Sequence, residues 1–316
     1  MADGKDIPLK LVAYMDETGH SDDPRCHFAG MAGFVASERQ WEGLAEYWQT
    51  VMDYFKLTEP FHMKDYAHSR GQFTSWKGDE PKRRSLLNAL VQGILAIKPT
   101  PVGTIVSIED FRGLSEEQRS GFKDPYYIAF QRCTRGASLE AMGIEPETVS
   151  MVYSYNHEFG ATKAQEFYSV DQSGLAEQLW HSMKSHTDFG KWMGSYASGT
   201  PGENIQLQAA DLFAYELSKE FEMLRIRPDG QMRWALQQIL GLIKYPFAFI
   251  SLMDRLELLR IIKESDWPCK ENIDEIENTD MQMASAREKL LSWLRERGGL
   301  STSAAETPAT GEHSGK

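Results

Sequence analysis

The stretch LKLVAYMDETGH, Leu9 to His20, decides how the chain is read. Leu9, Leu11, Val12, Ala13, Tyr14 and Met15 make a short apolar run of the kind that a strand buried on both faces requires. The polar turn Thr18-Gly19 follows, so Asp16 and Glu17 stand at the strand's carboxyl end. An ionised carboxylate at the edge of a core is costly unless a positive or hydrogen-bonding group compensates it. The position therefore asks for a partner elsewhere in the chain.

Working outward, CHFAGMAGFVAS (26–37) reads as a second strand whose glycines suit close pairing, near enough to the first to pair antiparallel. Trp41, Leu44, Ala45, Trp48, Val51, Met52 and Phe55 then recur at three and four residues, the mark of an amphipathic helix. Residues 56–78 hold EPFHMKDYAHSRGQF with no sustained period, and are expected to form an irregular excursion at the edge of a site. A helix at 81–97 opens on Pro81 and stops before Pro99. Strands at 101–111, 148–155 and 191–197 alternate with helices at 124–142 and 173–184. Strands separated by helices predict an α/β fold, a mixed sheet flanked by helices.

After ASGTPGEN comes the long helix IQLQAADLFAYELSKEFEML (205–224), with Leu207, Ala210, Ala214, Leu217, Phe221 and Leu224 as its apolar stripe. Gln208, Asp211 and Tyr215 flank that stripe at intervals of three and four, placing Asp211 at the edge of the buried face. Further helices are expected at 230–243 and 283–297. The small polar residues of 299–316 predict a disordered tail. The expected organisation is an α/β domain over 8–224, a helical extension over 225–298, and the tail.

Composition narrows the function classes. The 316 residues are 41% hydrophobic, enough for a substantial core. No window approaches a membrane span and the first residues lack an apolar signal segment, so a cytoplasmic protein without a membrane partner is expected. Three scattered cysteines argue against a disulfide framework or a CxxC zinc site. A net charge of −12 repels polyanions in bulk and argues against a sequence-independent nucleic-acid coat. It does not oppose a nuclease, whose carboxylates recruit metal while local basic patches guide the phosphate backbone. No phosphate-binding loop, GxSxG or HExxH pattern occurs.

Asp16-Glu17 and Asp211 are thus two acidic positions that a fold can bring together. A purely structural account is also open: Asp16 capping a turn, and Asp211 paired with a lysine or arginine. The motifs YMDETG, HFAGMAGFVAS, EPFHMKDY, DPYYIAFQRC and SGTPGENIQLQAADLFAYE weigh against that account. Their order, over roughly Leu9 to Glu220, resembles a prokaryotic family known as domain of unknown function 3800. The resemblance implies a ribonuclease H-like fold in which acids on the first strand and a late helix gather divalent metal. It aligns Asp16 and Glu17 with the first-strand acids, Gln208 and Asp211 with the late QxAD helix, and His62 with a loop histidine. Where relatives often place a further acid near the end of the fourth strand, this chain reads VYSYNHEF, leaving Glu158 as the nearest carboxylate.

Magnesium or manganese suits such a set, because hard cations prefer carboxylate oxygen and water. In two-metal phosphodiester hydrolysis the ions lie roughly 4 Å apart, one preparing water and the other stabilising the leaving oxygen. The expected metal ligands are Asp16, Glu17, Asp211 and Glu158. Gln208 is expected to position a carboxylate and His62 to assist proton transfer. His68 reads as an ordinary loop histidine, and Trp41 and Trp48 as core. The leading expectation is a metal-dependent nuclease acting on RNA or DNA. The alternatives are a catalytically degraded nucleic-acid- or protein-binding module of a defence or mobile-element system, and a hydrolase of smaller phosphate esters.

Overall fold

Six strands share one mixed sheet in the computed structural model, which describes residues 11–264 apart from 20, 22, 120, 121, 123, 143–148, 155–172, 228, 229 and 243–249. The strands are β1 (Leu11–Thr18), β2 (Phe28–Ser37), β3 (Thr100–Ser107), β4 (Val149–Ser154), β5 (Met193–Gly199) and β6 (Ile250–Met253), in the order β5-β4-β1-β2-β3-β6. β1, β2 and β3 form an antiparallel meander, with Asp16 opposite Ala32 in the β1–β2 register. β4 runs parallel to β1, β5 parallel to β4, and β6 parallel to β3. β6 lies within the segment expected to be purely helical. ISLM is a four-residue segment, three apolar residues and Ser251, whose pairing energy comes from the edge of β3, a partner invisible to local periodicity.

The described helices are α1 (Glu38–Tyr54), α2 (Met63–His68), α3 (Glu80–Ile97), α4 (Ile108–Arg112), α5 (Glu116–Arg119), α6 (Pro125–Met142), α7 (Ser173–His186), α8 (Ile205–Ile226), α9 (Trp234–Leu240) and α10 (Arg255–Glu264). α1 follows β2 without a loop because Ser37 and Gln40 form a capping box, each side chain engaging the other's backbone N–H. Side chains alternate across a strand, and the two faces of the sheet carry separate cores. Val12, Phe34 and Ile105 join α1, α3, α8 and α9 on one face. Leu11, Ala13, Met15, Val35 and Val106 join α6, α7 and α10 on the other.

The excursion after α1 is more ordered than its sequence suggests. It folds into α2 and a 3-10 turn over Gly71–Trp76, because Phe61, Tyr66, Phe73 and Trp76 pack edge-to-face on one another. Phe61 and Phe73 are almost fully buried, each burial contributing ~2 kcal/mol. Aromatic residues at irregular spacing thus hold a segment that has no helical period of its own. The expected helix at 283–297, the tail at 299–316 and the segment with Glu158 lie outside the described residues. Among the described residues, no helix is long and apolar enough to cross a membrane.

Candidate carboxylate site

Asp16 reaches the site because β1 ends where it does. Gly19 closes the strand with φ +69°, and a Cβ there would stand 2.0 Å from the Phe28 carbonyl oxygen, so the turn into β2 accepts only glycine. Alternation along β1 places Val12, Tyr14 and Asp16 on the face covered by α8. The same alternation sends Glu17 with Ala13 and Met15 toward the opposite face, under α6. Glu17 therefore does not join Asp16 as a ligand from the same side of the sheet; adjacency in sequence is separation in a strand.

Asp211 comes from the middle of α8, a 22-residue helix whose inner face is buried from Leu207 to Phe221. Asp16 and Asp211 are only 8% and 7% exposed, and their carboxyl groups are within hydrogen-bonding reach of each other. Two carboxyl groups can share a hydrogen bond only when one holds a proton. Burial pushes the Asp211 carboxyl up to about 7. The Met63 N–H, which donates to Oδ2 at 2.5 Å, and the hydrogen bond with Asp16 both pull it down, while the nearby Asp65 carboxylate pushes it further up. The pair is thus poised to hold one proton near neutrality.

His62 and Asp65 complete the surroundings. His62 occupies the N-cap position of α2, with Nε2 3.8 Å from Asp211 Oδ1 and Nδ1 3.3 Å from Asp65 Oδ2. The imidazole lies between the two carboxylates, about half exposed. Asp65 was missed in the sequence. The interval His62 to Asp65 is one helical turn, a spacing with meaning only once α2 is known to be a helix.

Gln208 sits one turn before Asp211 but touches no carboxylate in the described hydrogen bonds. Its Oε1 accepts from the Trp48 indole N–H at 3.0 Å and the Phe61 N–H at 2.9 Å, and its Nε2 donates to the Pro201 carbonyl at 2.9 Å. The side chain joins α1, the excursion and the β5–α8 loop, and holds the backbone immediately before His62. Its role is anchorage of the site's wall. Further along α8, Glu216, 1% exposed, takes a bidentate pair of 2.7 Å hydrogen bonds from Arg233, while Glu220 accepts from the Arg233 backbone N–H at 2.8 Å. These acids bind α9 to α8 and do not face Asp16. The Cys133 thiol, pushed up to about 12 by burial, donates to the Met31 carbonyl and is no nucleophile.

The donors at Asp16 and Asp211 are oxygens, and the proton the pair retains marks a place where positive charge is favoured. That chemistry fits a magnesium-like cation, which is commonly bound through one or two carboxylates plus water and substrate oxygens. Among the described residues, no group of three or more His, Cys, Asp or Glu side chains is arranged to chelate a metal by itself. Fold and site define a mixed α/β protein with a buried carboxylate pair where its central strand meets a late helix. No protein-family model matches the chain, and no curated protein matches it.

Proposed function

We propose that this protein is a ribonuclease H-like hydrolase, of the domain of unknown function 3800 type, that cleaves phosphodiester bonds in nucleic acid with magnesium or manganese held at Asp16 and Asp211. One observation carries the reading: two nearly buried carboxyl groups, from the first strand and a late helix, in hydrogen-bond contact, with Asp211 pushed up to about 7. Burying this pair costs stability, and function is the reason such costs persist at one place in a fold. The motif order from YMDETG to QAADLFAYE supports the same reading.

A divalent cation, when bound, would supply charge neutralisation at a phosphate oxygen and acidify water. The chain's own residues do the rest. Asp16 and Asp211, the residues that would hold it, would give up their shared proton on binding. The Met63 N–H holds Asp211 in position, and Gln208 holds the backbone that carries His62. His62, beside Asp211 and backed by Asp65, is placed to move a proton to or from the reacting oxygen.

The test is cleavage of single-stranded RNA, single-stranded DNA and hybrid duplex, with a nucleotide ester in parallel, each with manganese and with chelator. Calorimetric titration with manganese accompanies it. Metal-dependent cleavage and manganese binding, both lost in Asp16→Asn and Asp211→Asn, are expected. Cleavage unaffected by both substitutions overturns the proposal, and nucleic-acid binding without manganese binding assigns the chain to a binding module instead.

A further inference from the structure

Beside the carboxylate pair, α2 and α8 carry basic side chains. On α8, Asp211, Tyr215 and Lys219 follow one another at intervals of four, forming a ridge that runs about 12 Å along the helix axis. Lys219 is 39% exposed, its ammonium 5.9 Å from the Tyr215 ring centroid and 3.6 Å from Glu222. α2 packs on the same helix, tied to it by the Met63–Asp211 hydrogen bond. It presents Lys64 and His68, both exposed, and the exposed Arg70 follows two residues on. Lys64, Arg70 and Lys219 surround His68 closely enough that, after burial, their charges are what hold its imidazole below the usual histidine range. Asp65 is the opposing carboxylate there.

In a chain of net charge −12, three cations converging on one histidine are not explained by average surface composition. Like charges held together oppose folding, and an anion placed among them relieves that cost. The net charge opposes a polyanion at a distance, and these three cations offer it local attraction next to the buried pair.

We propose that Lys64, Arg70 and Lys219 form a phosphodiester-backbone track that leads a single nucleic-acid strand along the α2–α8 junction to Asp16 and Asp211. The track deepens the proposed function and rests on it for the identity of the polyanion. Contacts of this kind go to phosphate and carry no base sequence, so the track takes strands of any sequence. Neutralising a single strand's phosphates releases counterions, which makes affinity fall with salt in proportion to the number of contacts, about 0.7 in log–log slope per contact.

The experiment is fluorescence anisotropy of the full chain with labelled 20-nucleotide DNA and RNA strands in EDTA, over a salt series. The expected result is a salt slope shallower by about 2 in Lys64→Ala/Arg70→Ala/Lys219→Ala, three contacts at 0.7 each, with weaker binding at low salt. The charge-keeping variant Lys64→Arg/Arg70→Lys/Lys219→Arg retains the wild-type slope. An unchanged slope in the alanine variant, or wild-type protein that binds neither strand, overturns the track. Because EDTA removes the metal, failure here leaves metal-dependent cleavage standing, and failure of cleavage leaves the salt slope readable.

Discussion

Asp211 of α8 shares a hydrogen bond with Asp16 of β1 and takes a second from the Met63 backbone N–H at 2.5 Å, so one buried carboxyl group ties together the central strand, the long helix and the excursion after α1. That relationship sets what the free protein should do with pH, with metal and with substitution.

The folded Asp211 carboxyl titrates near 7, whereas an unfolded aspartate titrates near 3.9. Between those values the folded state binds the extra proton, so the stability this proton brings is fully present below about 4 and is lost as pH rises through about 7. In EDTA, the melting temperature should fall between about pH 4 and pH 7.5 and level off above, reflecting on the order of a few kcal/mol. Asp211→Asn should flatten that fall. Asp65→Asn, by removing the repulsion that raises Asp211, should shift it to lower pH. Differential scanning calorimetry across the series checks all three.

Glu17 and Asp16 are consecutive residues of β1, so alternation directs them to opposite faces of the sheet. Asp16→Asn is expected to cut metal-dependent cleavage by about 100-fold or more. Glu17→Gln is expected to leave the rate within a factor of about three. Equal losses in the two variants, measured as kcat/KM on one labelled oligonucleotide, would place Glu17 among the working residues after all.

Replacing Gln208 by alanine removes the acceptor of two buried donors, the Trp48 indole N–H and the Phe61 N–H. Each orphaned donor costs about 1–3 kcal/mol, so Gln208→Ala should lose roughly 2–6 kcal/mol in urea unfolding. Exchange of the Phe61 amide proton should accelerate in the variant. A loss of cleavage without a loss of stability would contradict the anchoring role.

Arg233 and Glu216 offer a test remote from the site. Arg233→Met leaves Glu216 buried and uncompensated, at an expected cost of about 3–5 kcal/mol, while Arg233→Met/Glu216→Leu should recover most of it. A double-mutant cycle by chemical denaturation measures the coupling. Additive losses would show that the pair contributes nothing jointly.

Much of the architecture was legible because it is written in local periods. The apolar run ending at Asp16, the three-and-four spacing of Trp41 to Met52 in α1, and the stripe of α8 each specify an element and its buried side. The same spacing put Asp211 at the edge of the buried face of α8, whereas every residue from Leu207 to Ala214 is buried, because β1, β2, α1 and α2 close around that half of the helix. The order within the 56–78 segment was not legible, because Phe61, Tyr66, Phe73 and Trp76 reinforce one another at irregular intervals. β6 escaped notice for a related reason: a four-residue segment with three apolar side chains carries no signal until β3 offers an edge.

By itself the sequence determined that a strand ends in two acids, that a late helix carries a third, and that helices and strands alternate between them. Periodicity is a property of neighbours along the chain and needs no partner to be seen. Only the tertiary structure decided which acids meet. It turned Asp16 toward Asp211 and Glu17 away, made Gln208 a clamp on Trp48 and Phe61, and brought Asp65 and Met63 to the pair through a segment with no pattern of its own. Burial then raised the proton affinity of Asp211, because the cost of a desolvated charge depends on everything packed around it, and none of that is encoded at position 211 alone.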